Sequence, residues 1–404
     1  LKTRGLELIY RKGNGLETMR ALVTETDAAT VFWNRQYEKD TIARDTELKS
    51  WLKDNNRQGE GHVGNLFFDP WQIMNKKSGS HFKVFSPFWK ACLEAGLPCD
   101  LSAPPARIAG PEKSPESLPL PAADTPPAPD METLWQPGER GALKMLDVFF
   151  DEGLEGYADN RDIPGGVTTS RLSPHLRWGE ISPQRIFASL GEARLDTRDG
   201  HKFLSEVGWR EFSYYLLYHY PDMPERCLQN KFEAFPWRDA PEDLEAWKQG
   251  QTGYPIVDAG MRELARTGFM HNRSRMIAAS FLTKHLLIDW REGEKWFWEC
   301  LADADPANNA AGWQWTAGCG ADAAPYFRIF NPIIQGQKFD PDGIYTKTYA
   351  PELAKLTGKM IFAPWEASPE TLSDAGIALD VDYPAPIVKH ELARARALDV
   401  FHAL

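Results

Sequence analysis

Residues 301–332 bring carboxylates, amides and indoles together at close spacing. Carboxylates and amides can orient the polar edge of a ligand, and indoles can stack on a flat ring. The small residues at 310–312 would let such a ring approach the backbone closely. The segment therefore has the chemistry of a ligand site. Its candidate side chains are Asp303, Asp305, Asn308, Asn309, Trp313 and Trp315.

Each of these residues also has an ordinary structural explanation. Asparagine and aspartate cap helices and line turns, and tryptophan packs in cores. That explanation is preferred for any one of them taken alone. The site hypothesis gains weight because other segments supply matching chemistry.

Two further clusters have spacings that would place reactive side chains on one helix face. Trp209 and Arg210 lie three and four positions after Glu206, so a helix would align them. They could form a buried ion pair under an indole, or a ligand surface. Asn272 and Met276 lie one turn apart and could present an amide and a thioether to the same ligand.

Two segments could bind phosphate. Residues 169–173 hold three hydroxyls and a guanidinium before a predicted helix, where free N–H groups and the helix dipole suit an anion. A helix cap at Ser173, with Pro174 at the first helical position, explains the same residues and is preferred on this segment alone. Between residues 262 and 291, six cations stand against two acids, which predicts a local groove for phosphates.

The composition limits what kind of protein this can be. A net charge of −11 argues against a protein that binds nucleic acid over its whole surface. The five cysteines show no metal-ligand spacing and are odd in number, so we expect no metal site, no disulfide framework and a cytoplasmic location. No apolar run approaches the roughly 20 residues of a membrane span. The fifteen tryptophans are so many that most must pack in the core.

The elements that must position these residues divide the chain in two. With 404 residues, two domains are expected. The apolar segments 6–10 and 29–33 predict short strands, and the segments 15–27 and 41–55 predict helices. Strands that alternate with helices are typical of a parallel sheet covered by helices.

A proline-rich stretch separates this α/β unit from the rest. Residues 98–137 contain eleven prolines, a composition that predicts a long linker. After it the pattern is helical, with almost no strand signal. Ser182 before Pro183 is typical of a helix start, as at 173–174. We therefore expect a mainly helical second domain.

Several of these motifs together resemble the DNA photolyase and cryptochrome family. The resemblance covers nearly the whole chain and rests on the order of the motifs TSRLSPHLRWGEIS, WREF, TGYPIVDAGMREL, FMHNRSRMIAASFLTKHLLIDWREGE, NNAAGWQW and DAAPYFRIFNPIIQGQKFD. It implies a partial α/β antenna domain at 1–95, an interdomain linker at 96–137 and an all-α domain at 138–404 that binds FAD and DNA. The family's opening strand is missing, so we expect the chain to lack roughly the first third of the antenna domain.

The resemblance also assigns residues to FAD. Arg275 is expected to pair with Asp303 beside the isoalloxazine, and Asp305 to bond the flavin edge. Asn309 falls at the position that faces flavin N5, which is typically Asn in repair enzymes, Asp in plant-type cryptochromes and Cys in animal ones. The implied cofactor set, whose first six members would hold the pyrophosphate and ribityl chain, is Tyr157, Thr169, Ser170, Arg171, Leu172, Ser173, Arg210, Arg275, Asp303, Ala304, Asp305 and Asn309.

Further residues match the family's electron path and its DNA site. Trp313, Trp290 and Trp237 match the indoles that pass electrons to photoexcited flavin, with Trp247 an alternative for the last. The residues implied around a flipped pyrimidine dimer are Glu206, Trp209, Asn272, Met276 and Trp315. Those implied near the DNA phosphates are Arg161, Arg273, Arg328 and Lys338. Enzymes for (6-4) photoproducts use two histidines near the lesion, and here His271 stands alone, so that activity is disfavoured.

The resemblance thus implies a deoxyribodipyrimidine photo-lyase, a carbon–carbon lyase that repairs cyclobutane pyrimidine dimers in UV-damaged DNA with light and reduced FAD. Glu206 would stabilise the dimer radical anion, and Asn309 the redox state of the flavin. The alternatives are a cryptochrome-type blue-light sensor without repair activity and a non-catalytic helical binding module. Asp40 and Thr41 stand where folate-binding members carry Asn and Glu, so a folate antenna is doubtful and the second chromophore stays open. We expect a monomer.

Overall fold

The computed structural model of the chain shows a small α/β unit followed by a large helical part. The proline-rich stretch that separates them is described only in part. The residues that the structure describes are 5–76, 79–99, 101–103, 105–109, 115–119, 127–322 and 327–404. No helix within these ranges is long and apolar enough to cross a membrane.

The α/β unit is built from two strands and three helices in the described ranges. They are α1 (Gly15–Thr26), β1 (Thr30–Asn34), α2 (Lys39–Asp54), β2 (Gln58–His62) and α3 (Phe85–Ala95). The helices of the second part are α4 (Met131–Leu134), α5 (Glu139–Val148), α6 (Tyr157–Asn160), α7 (Ser173–Arg177), α8 (Pro183–Leu195), α9 (Arg198–His219), α10 (Pro241–Lys248), α11 (Pro255–Thr267), α12 (Asn272–Ser280), α13 (Trp290–Cys300), α14 (Pro306–Ala317), α15 (Pro332–Phe339), α16 (Ile344–Tyr349), α17 (Pro369–Ala375) and α18 (His390–His402).

The two strands form a parallel sheet, in a register that runs from Thr30 opposite Gln58 to Asn34 opposite His62. α2 provides the crossover that a parallel pair requires. The strand predicted at 29–33 is confirmed within one residue, and the two predicted helices correspond to α1 and α2.

Two features of this unit differ from the sequence expectation. The strand predicted at 6–10 is wrong, because this segment bonds to 117–118 instead of the sheet. The backbone N of Tyr10 donates to Ser117 Oγ at 2.9 Å, and its oxygen accepts from Leu118 N at 2.9 Å. β2, with the sequence QGEGH, shows no apolar alternation that would predict a strand. Glycine fits there because a Cβ on Gly59 would lie 2.8 Å from Leu52 Cδ1.

α9 is the helix on which the two parts of the chain meet. The buried carboxylate of Glu211 accepts hydrogen bonds from the backbone N of Phe67 and of Phe68, each at 2.9 Å. Burial raises the pKa of Glu211 to about 7. α3 lies so close to α9 that a Cβ on Gly208 would be 2.6 Å from Trp89 Cε3. The residues that α9 carries are therefore held against the N-terminal unit.

Replacing Gly208 with alanine should destabilise the protein by about 1–3 kcal/mol, the usual cost of overpacking a core. Gly260→Ala is the matched control. That glycine is also buried in a helix, but its added Cβ would meet Ser274 Cβ at 3.4 Å, and alanine gains about 1 kcal/mol of helix propensity. Urea unfolding measures both variants, and equal stability would contradict a tight contact between α3 and α9.

Candidate active site

A cavity of about 420 Å³ opens between α9, α12 and α14, with the segment 301–305 completing its wall. Segments far apart in the chain meet here, and they carry most of the residues that the sequence singled out. Those that line the cavity are Arg161, Glu206, Trp209, Asn272, Arg273, Arg275, Met276, Asp303, Ala304, Asp305, Asn308, Asn309, Trp313 and Trp315.

Asp305 determines where α14 begins. Its Oδ1 accepts hydrogen bonds from the backbone N of Ala307 (3.0 Å) and of Asn308 (2.8 Å). Pro306 takes the first helical position, where a missing N–H costs nothing. The other oxygen, Oδ2, accepts from the Tyr214 hydroxyl of α9 at 2.6 Å. Asp305 therefore acts as a helix cap while it also lines the cavity.

Asn309 lies one turn into α14, with its amide oriented by α13. Its Nδ2 donates to the backbone oxygen and to Oε1 of Glu294, each at 2.9 Å. This assignment leaves Oδ1 without a partner in the described part of the chain, so a ligand would meet an acceptor here. Burial raises the pKa of Glu294. Sequence reasoning missed Glu294, since nothing in the sequence connects it to a residue 15 positions later.

Arg275 and Asp303 form the ion pair expected from the sequence. The Nη2 of Arg275 lies 2.8 Å and 3.0 Å from the two carboxylate oxygens of Asp303. Its Nε donates to the Met270 carbonyl at 2.7 Å, which locks the guanidinium in place. The neighbouring carbonyl of Ala304 accepts from Arg177 Nε at 2.5 Å. Sequence reasoning did not identify Arg177, whose guanidinium supports the cavity wall from α7.

The segment 169–173 lies beside this ion pair but outside the cavity wall. The guanidinium carbons of Arg171 and Arg275 lie 5.9 Å and 5.4 Å from the centre of the Phe269 ring. Two positive charges therefore flank one aromatic ring near 169–173. The serine cap predicted at Ser173 is not formed, because α7 begins at that residue and Leu172 precedes it without a side-chain cap.

Glu206 reaches the cavity from α9 with two cations around its carboxylate. Arg161 Nη1 and Lys202 Nζ each lie 2.9 Å from Glu206 Oε1. The Glu206 side chain keeps 24 % of its surface exposed, so it can still bond a ligand. Tyr157, assigned to the cofactor from the sequence, is buried and does not line the cavity. The centre of its ring lies 5.6 Å from that of Phe203.

Trp209 faces the cavity beside Glu206, whereas Arg210 does not. One face of the Trp209 indole is stacked on Phe85, with ring centres 3.9 Å apart. The Arg210 guanidinium donates to the backbone oxygen of Asn65. Of the two alternatives open for Glu206, Trp209 and Arg210, a ligand surface shared by all three is not what the structure shows, because Arg210 does not line the cavity. Its side chain satisfies a carbonyl of the N-terminal unit instead.

The indoles of the expected electron path belong to one hydrophobic cluster that reaches the cavity wall at Trp313. Trp313 packs against Gly293 of α13, where a Cβ would lie 2.1 Å from Trp313 Cη2. Trp290, one turn before that glycine, is fully buried. Trp247 lies 6.1 Å from Trp313 but is also fully buried. Trp237 is partly exposed, so of the two candidates for the last indole it is the one that reaches solvent.

The cations between residues 262 and 291 do not form a run of unpaired positive charge in the described part of the chain. Each arginine there has an acidic partner, because a guanidinium that is partly removed from water needs a counter-charge. The pairs are Arg262 with Glu352, Arg266 with Asp130, Arg273 with Asp162, Arg275 with Asp303 and Arg291 with Glu233. Lys284 is buried and donates to the Arg328 carbonyl at 2.5 Å. Acids from elsewhere in the chain thus neutralise the local positive excess.

Arg328 and Lys338, expected near DNA phosphates, are exposed cations. Arg328 lines a smaller pocket that shares Trp315 with the main cavity, so it lies near the rim. The Lys338 Nζ lies 5.0 Å from the centre of the Phe339 ring, and the guanidinium of Arg273 lies 4.2 Å from the same ring. A few cationic side chains therefore lie near the cavity entrance.

The cavity residues fit a flat, redox-active cofactor such as FAD. Arg275 offers a charged donor and the Asn309 Oδ1 an acceptor. A Cβ on Gly312 would meet nothing within 4 Å, so the wall leaves room for a planar ring. Ala310, which the sequence grouped with Gly312, is instead buried in the core and does not line the cavity.

Comparisons with known proteins show similarity over the whole chain. A family model described as the FAD binding domain of DNA photolyase matches residues 203–403, and one described as DNA photolyase matches residues 1–109. The deoxyribodipyrimidine photo-lyase of Agrobacterium fabrum is 47% identical over 100% of this chain and 86% of its own length. Cryptochrome-2 of Arabidopsis thaliana is 36% identical over 98% of this chain and 67% of its own length.

A solved structure has the same fold. The crystal structure of a bacterial class III photolyase from Agrobacterium tumefaciens matches with a TM-score of 0.95 at 47% identity, covering 100% of this chain and 85% of that chain. The fold class expected from the sequence, a small parallel α/β unit followed by a helical FAD-binding part, is confirmed. The chain therefore belongs to the DNA photolyase family and carries its FAD-binding domain.

Proposed function

We propose that this protein is a deoxyribodipyrimidine photo-lyase, which uses light to split cyclobutane pyrimidine dimers in DNA. The observation that supports this most is that two residue sets meet at one cavity. The set expected around a flipped dimer is Glu206, Trp209, Asn272, Met276 and Trp315. The set expected around the flavin is Arg275, Asp303, Ala304, Asp305 and Asn309.

A dimer can enter this cavity only if it leaves the duplex. Extruding a damaged pair costs only a few kcal/mol, because its stacking is already weakened. Trp209 is suited to receive it, since Phe85 supports one indole face and the cavity side remains for a base. Asn272 Nδ2 lies 3.7 Å from Met276 Sδ, so amide and thioether would form one joint surface under the dimer.

Bound FAD, once reduced and excited by light, supplies the electron that opens the cyclobutane ring. The residues of this chain bind, orient and balance charge around that event. Glu206 would hydrogen-bond the polar edge of the dimer while Arg161 and Lys202 hold its carboxylate in place. Asn309 would present a neutral amide oxygen to the flavin, and its N–H groups are engaged by Glu294, so it offers no acidic proton there.

The charge distribution supports a DNA contact that is local rather than global. Arg161 and Arg273 are paired with Glu206 and Asp162, so each can give only part of its charge to a phosphate. Arg328 and Lys338 are more exposed and would carry most of the sequence-independent, salt-dependent attraction.

The second candidate is a blue-light sensor of the cryptochrome type, which the similarity to Cryptochrome-2 of Arabidopsis thaliana favours. A sensor needs the flavin but has no use for a dimer pocket. The five dimer-set residues all line the cavity beside Asn309, which makes repair the better supported proposal.

The test of this choice is repair of a thymine-dimer oligonucleotide by photoreduced protein. We expect the dimer to disappear under blue or near-UV light and to persist in darkness, as followed by chromatography of the digested DNA. A dimer that survives both conditions would favour the sensor.

Glu206→Ala should lower the repair yield about tenfold, the cost of losing one charge-assisted hydrogen bond, and should weaken DNA binding much less. The quantum yield of repair and a binding titration measure the two effects. Glu206→Gln should recover part of the yield, and Glu192→Ala, on an exposed glutamate of α8, should leave it unchanged. Equal losses of binding and repair would contradict a role in the reaction itself.

Trp313→Phe should prevent light-driven reduction of oxidised FAD, because phenylalanine is much harder to oxidise than an indole. The same variant, reduced chemically, should still repair dimers. Trp298→Phe is the matched control, since Trp298 lies on the neighbouring helix α13 but is 45% exposed. A chemically reduced Trp313→Phe that cannot repair would show that the residue does more than pass electrons.

A further inference from the structure

The short helix α7 ends in a tight turn, beside the wall of the main cavity. Gly179 has a left-handed backbone with a φ of 70°, which glycine adopts without strain. The backbone N of Glu180 donates to the His175 carbonyl at 2.8 Å, a bond typical of helices that end at a glycine. The Glu180 carboxylate also lies 2.5 Å from His175 Nδ1. The backbone that carries Arg177 and Trp178 is therefore held in place.

These two side chains bond the segment 301–305 of the cavity wall. The segment lies between α13 and α14 and belongs to neither helix, so its backbone carbonyls need donors from elsewhere. Trp178 Nε1 donates to the Ala302 carbonyl at 2.9 Å. Arg177 Nε donates to the Ala304 carbonyl at 2.5 Å. Helix α7 thus attaches the wall at two points.

The two attached alanines alternate with the two carboxylates of the wall. Asp303 and Asp305 are buried, with 7% and 5% of their surface exposed. Ala302 and Ala304 are only partly buried. Asp303 pairs with Arg275, and Asp305 caps α14, so a shift of the segment would move both the ion pair and the start of that helix. The bonds from α7 therefore help to position the side chains that face the cavity.

Arg177 differs from the arginines of the cavity in its charge balance. Arg273 and Arg275 each form an ion pair with an aspartate. Within the described residues Arg177 forms no ion pair, and its contacts include the Ala304 carbonyl and the Trp178 ring, whose centre lies 5.4 Å from the guanidinium carbon. Ala304 itself lines the cavity. A positive charge without a counter-charge therefore stands directly behind the wall.

The charge of Arg177 also acts on groups inside the site. Burial raises the pKa of the Tyr214 hydroxyl, and the Asp305 carboxylate acts in the same direction, whereas the charges of Arg210 and Arg177 oppose it. A guanidinium does not lose its proton in proteins, so the charge is the same at every working pH. The site therefore lies in a constant positive field from α7.

We propose that Arg177 and Trp178 are positioning residues of the FAD site. Both hold the wall through the Ala302 and Ala304 carbonyls, and the unpaired charge of Arg177 in addition favours the reduced form of bound FAD. Uptake of two electrons and one proton adds one negative charge to the cofactor, which a fixed positive charge nearby stabilises. The proposal rests on the FAD site of the proposed function, and not on the repair of DNA.

The first experiment measures the reduction potential of FAD in the loaded protein without DNA, by titration with dithionite against a dye of known potential. Arg177→Gln removes the charge but keeps a donor for the Ala304 carbonyl. We expect its two-electron reduction equilibrium to fall about tenfold, which is a shift of about 30 mV to lower potential. A potential equal to that of the unchanged protein would overturn the proposal.

Two further variants separate the local charge from packing and from net charge. Arg177→Lys keeps a positive charge behind the wall and should recover most of the lost potential. A loss as large as in Arg177→Gln would show that only packing matters and would overturn the proposal. Arg185→Gln, on an exposed arginine of α8, is the matched control and should leave the potential unchanged. An equal shift in that control would also overturn the proposal, because net charge would then explain it.

The second experiment measures the attachment of the wall. Trp178→Phe removes the N–H that bonds the Ala302 carbonyl, at a side chain that is 68% exposed and whose packing matters little. We expect FAD to bind about fivefold more weakly, the usual effect of losing one hydrogen bond, while the reduction potential stays nearly unchanged. Release of FAD from the loaded protein on dilution, followed by flavin fluorescence, measures the affinity. An unchanged affinity would overturn the positioning role of Trp178.

The same release measurement applies if Arg177→Gln does not retain FAD. Retention of FAD by Arg177→Lys would then uphold the role of the charge, and an equal loss in both variants would overturn it. A protein that shows the expected shifts but repairs no dimer would uphold this proposal and overturn the proposed function.

Discussion

The hydrogen bond between the Tyr214 hydroxyl and the Asp305 carboxylate, 2.6 Å long and buried, ties together the two helices that build the site. Tyr214 belongs to α9, and about one turn before it lies Trp209. Asp305 caps α14, so the position of the cap decides where Asn309 and Trp313 appear one and two turns later. The two sides of the cavity, proposed to hold the dimer and the flavin, therefore share one fixed point. Removing the tyrosine hydroxyl would leave a buried carboxylate oxygen short of a donor.

A second constraint is the neutralisation of charge in the interior. The helical part brings the guanidinium groups of Arg161, Arg273 and Arg275 to the cavity, and acids from other segments pair with them. This pairing lets Arg275 serve as a rigid donor instead of a mobile cation. It also leaves an acidic protein with few free positive charges near the entrance, in line with the local DNA contact proposed above.

The sequence predicts local structure well where local chemistry decides it. Ser182 accepts from Arg185 N at 3.1 Å and caps α8 as its spacing indicates, and α1 and α2 follow from apolar periodicity. Prediction fails where a residue far away in the sequence determines the local structure. β2 becomes a strand only because β1 offers an edge. Arg210 turns away from its helix neighbours because a carbonyl of the N-terminal unit needs a donor.

The same distinction holds at the site. The contact between Arg275 and Asp303 follows from a known arrangement of motifs, and the structure contains it. Glu294 has no sequence signature, because its relation to Asn309 exists only once α13 and α14 are packed. The spacing of residues in the sequence indicates the chemistry available to each side chain, whereas the packing of the helices determines which partner it meets.

Gly293 sets the separation of α13 and α14 to the thickness of one indole, since even a methyl group there would lie 2.1 Å from Trp313 Cη2. The rate of electron tunnelling falls steeply with the gap between donor and acceptor. If Trp313 carries electrons as proposed, the absence of a side chain at Gly293 lets the Trp313 ring pack directly against α13. A larger residue at this position would push the ring away and lengthen the path of the electron. A position with no functional group of its own would then govern how fast the protein responds to light.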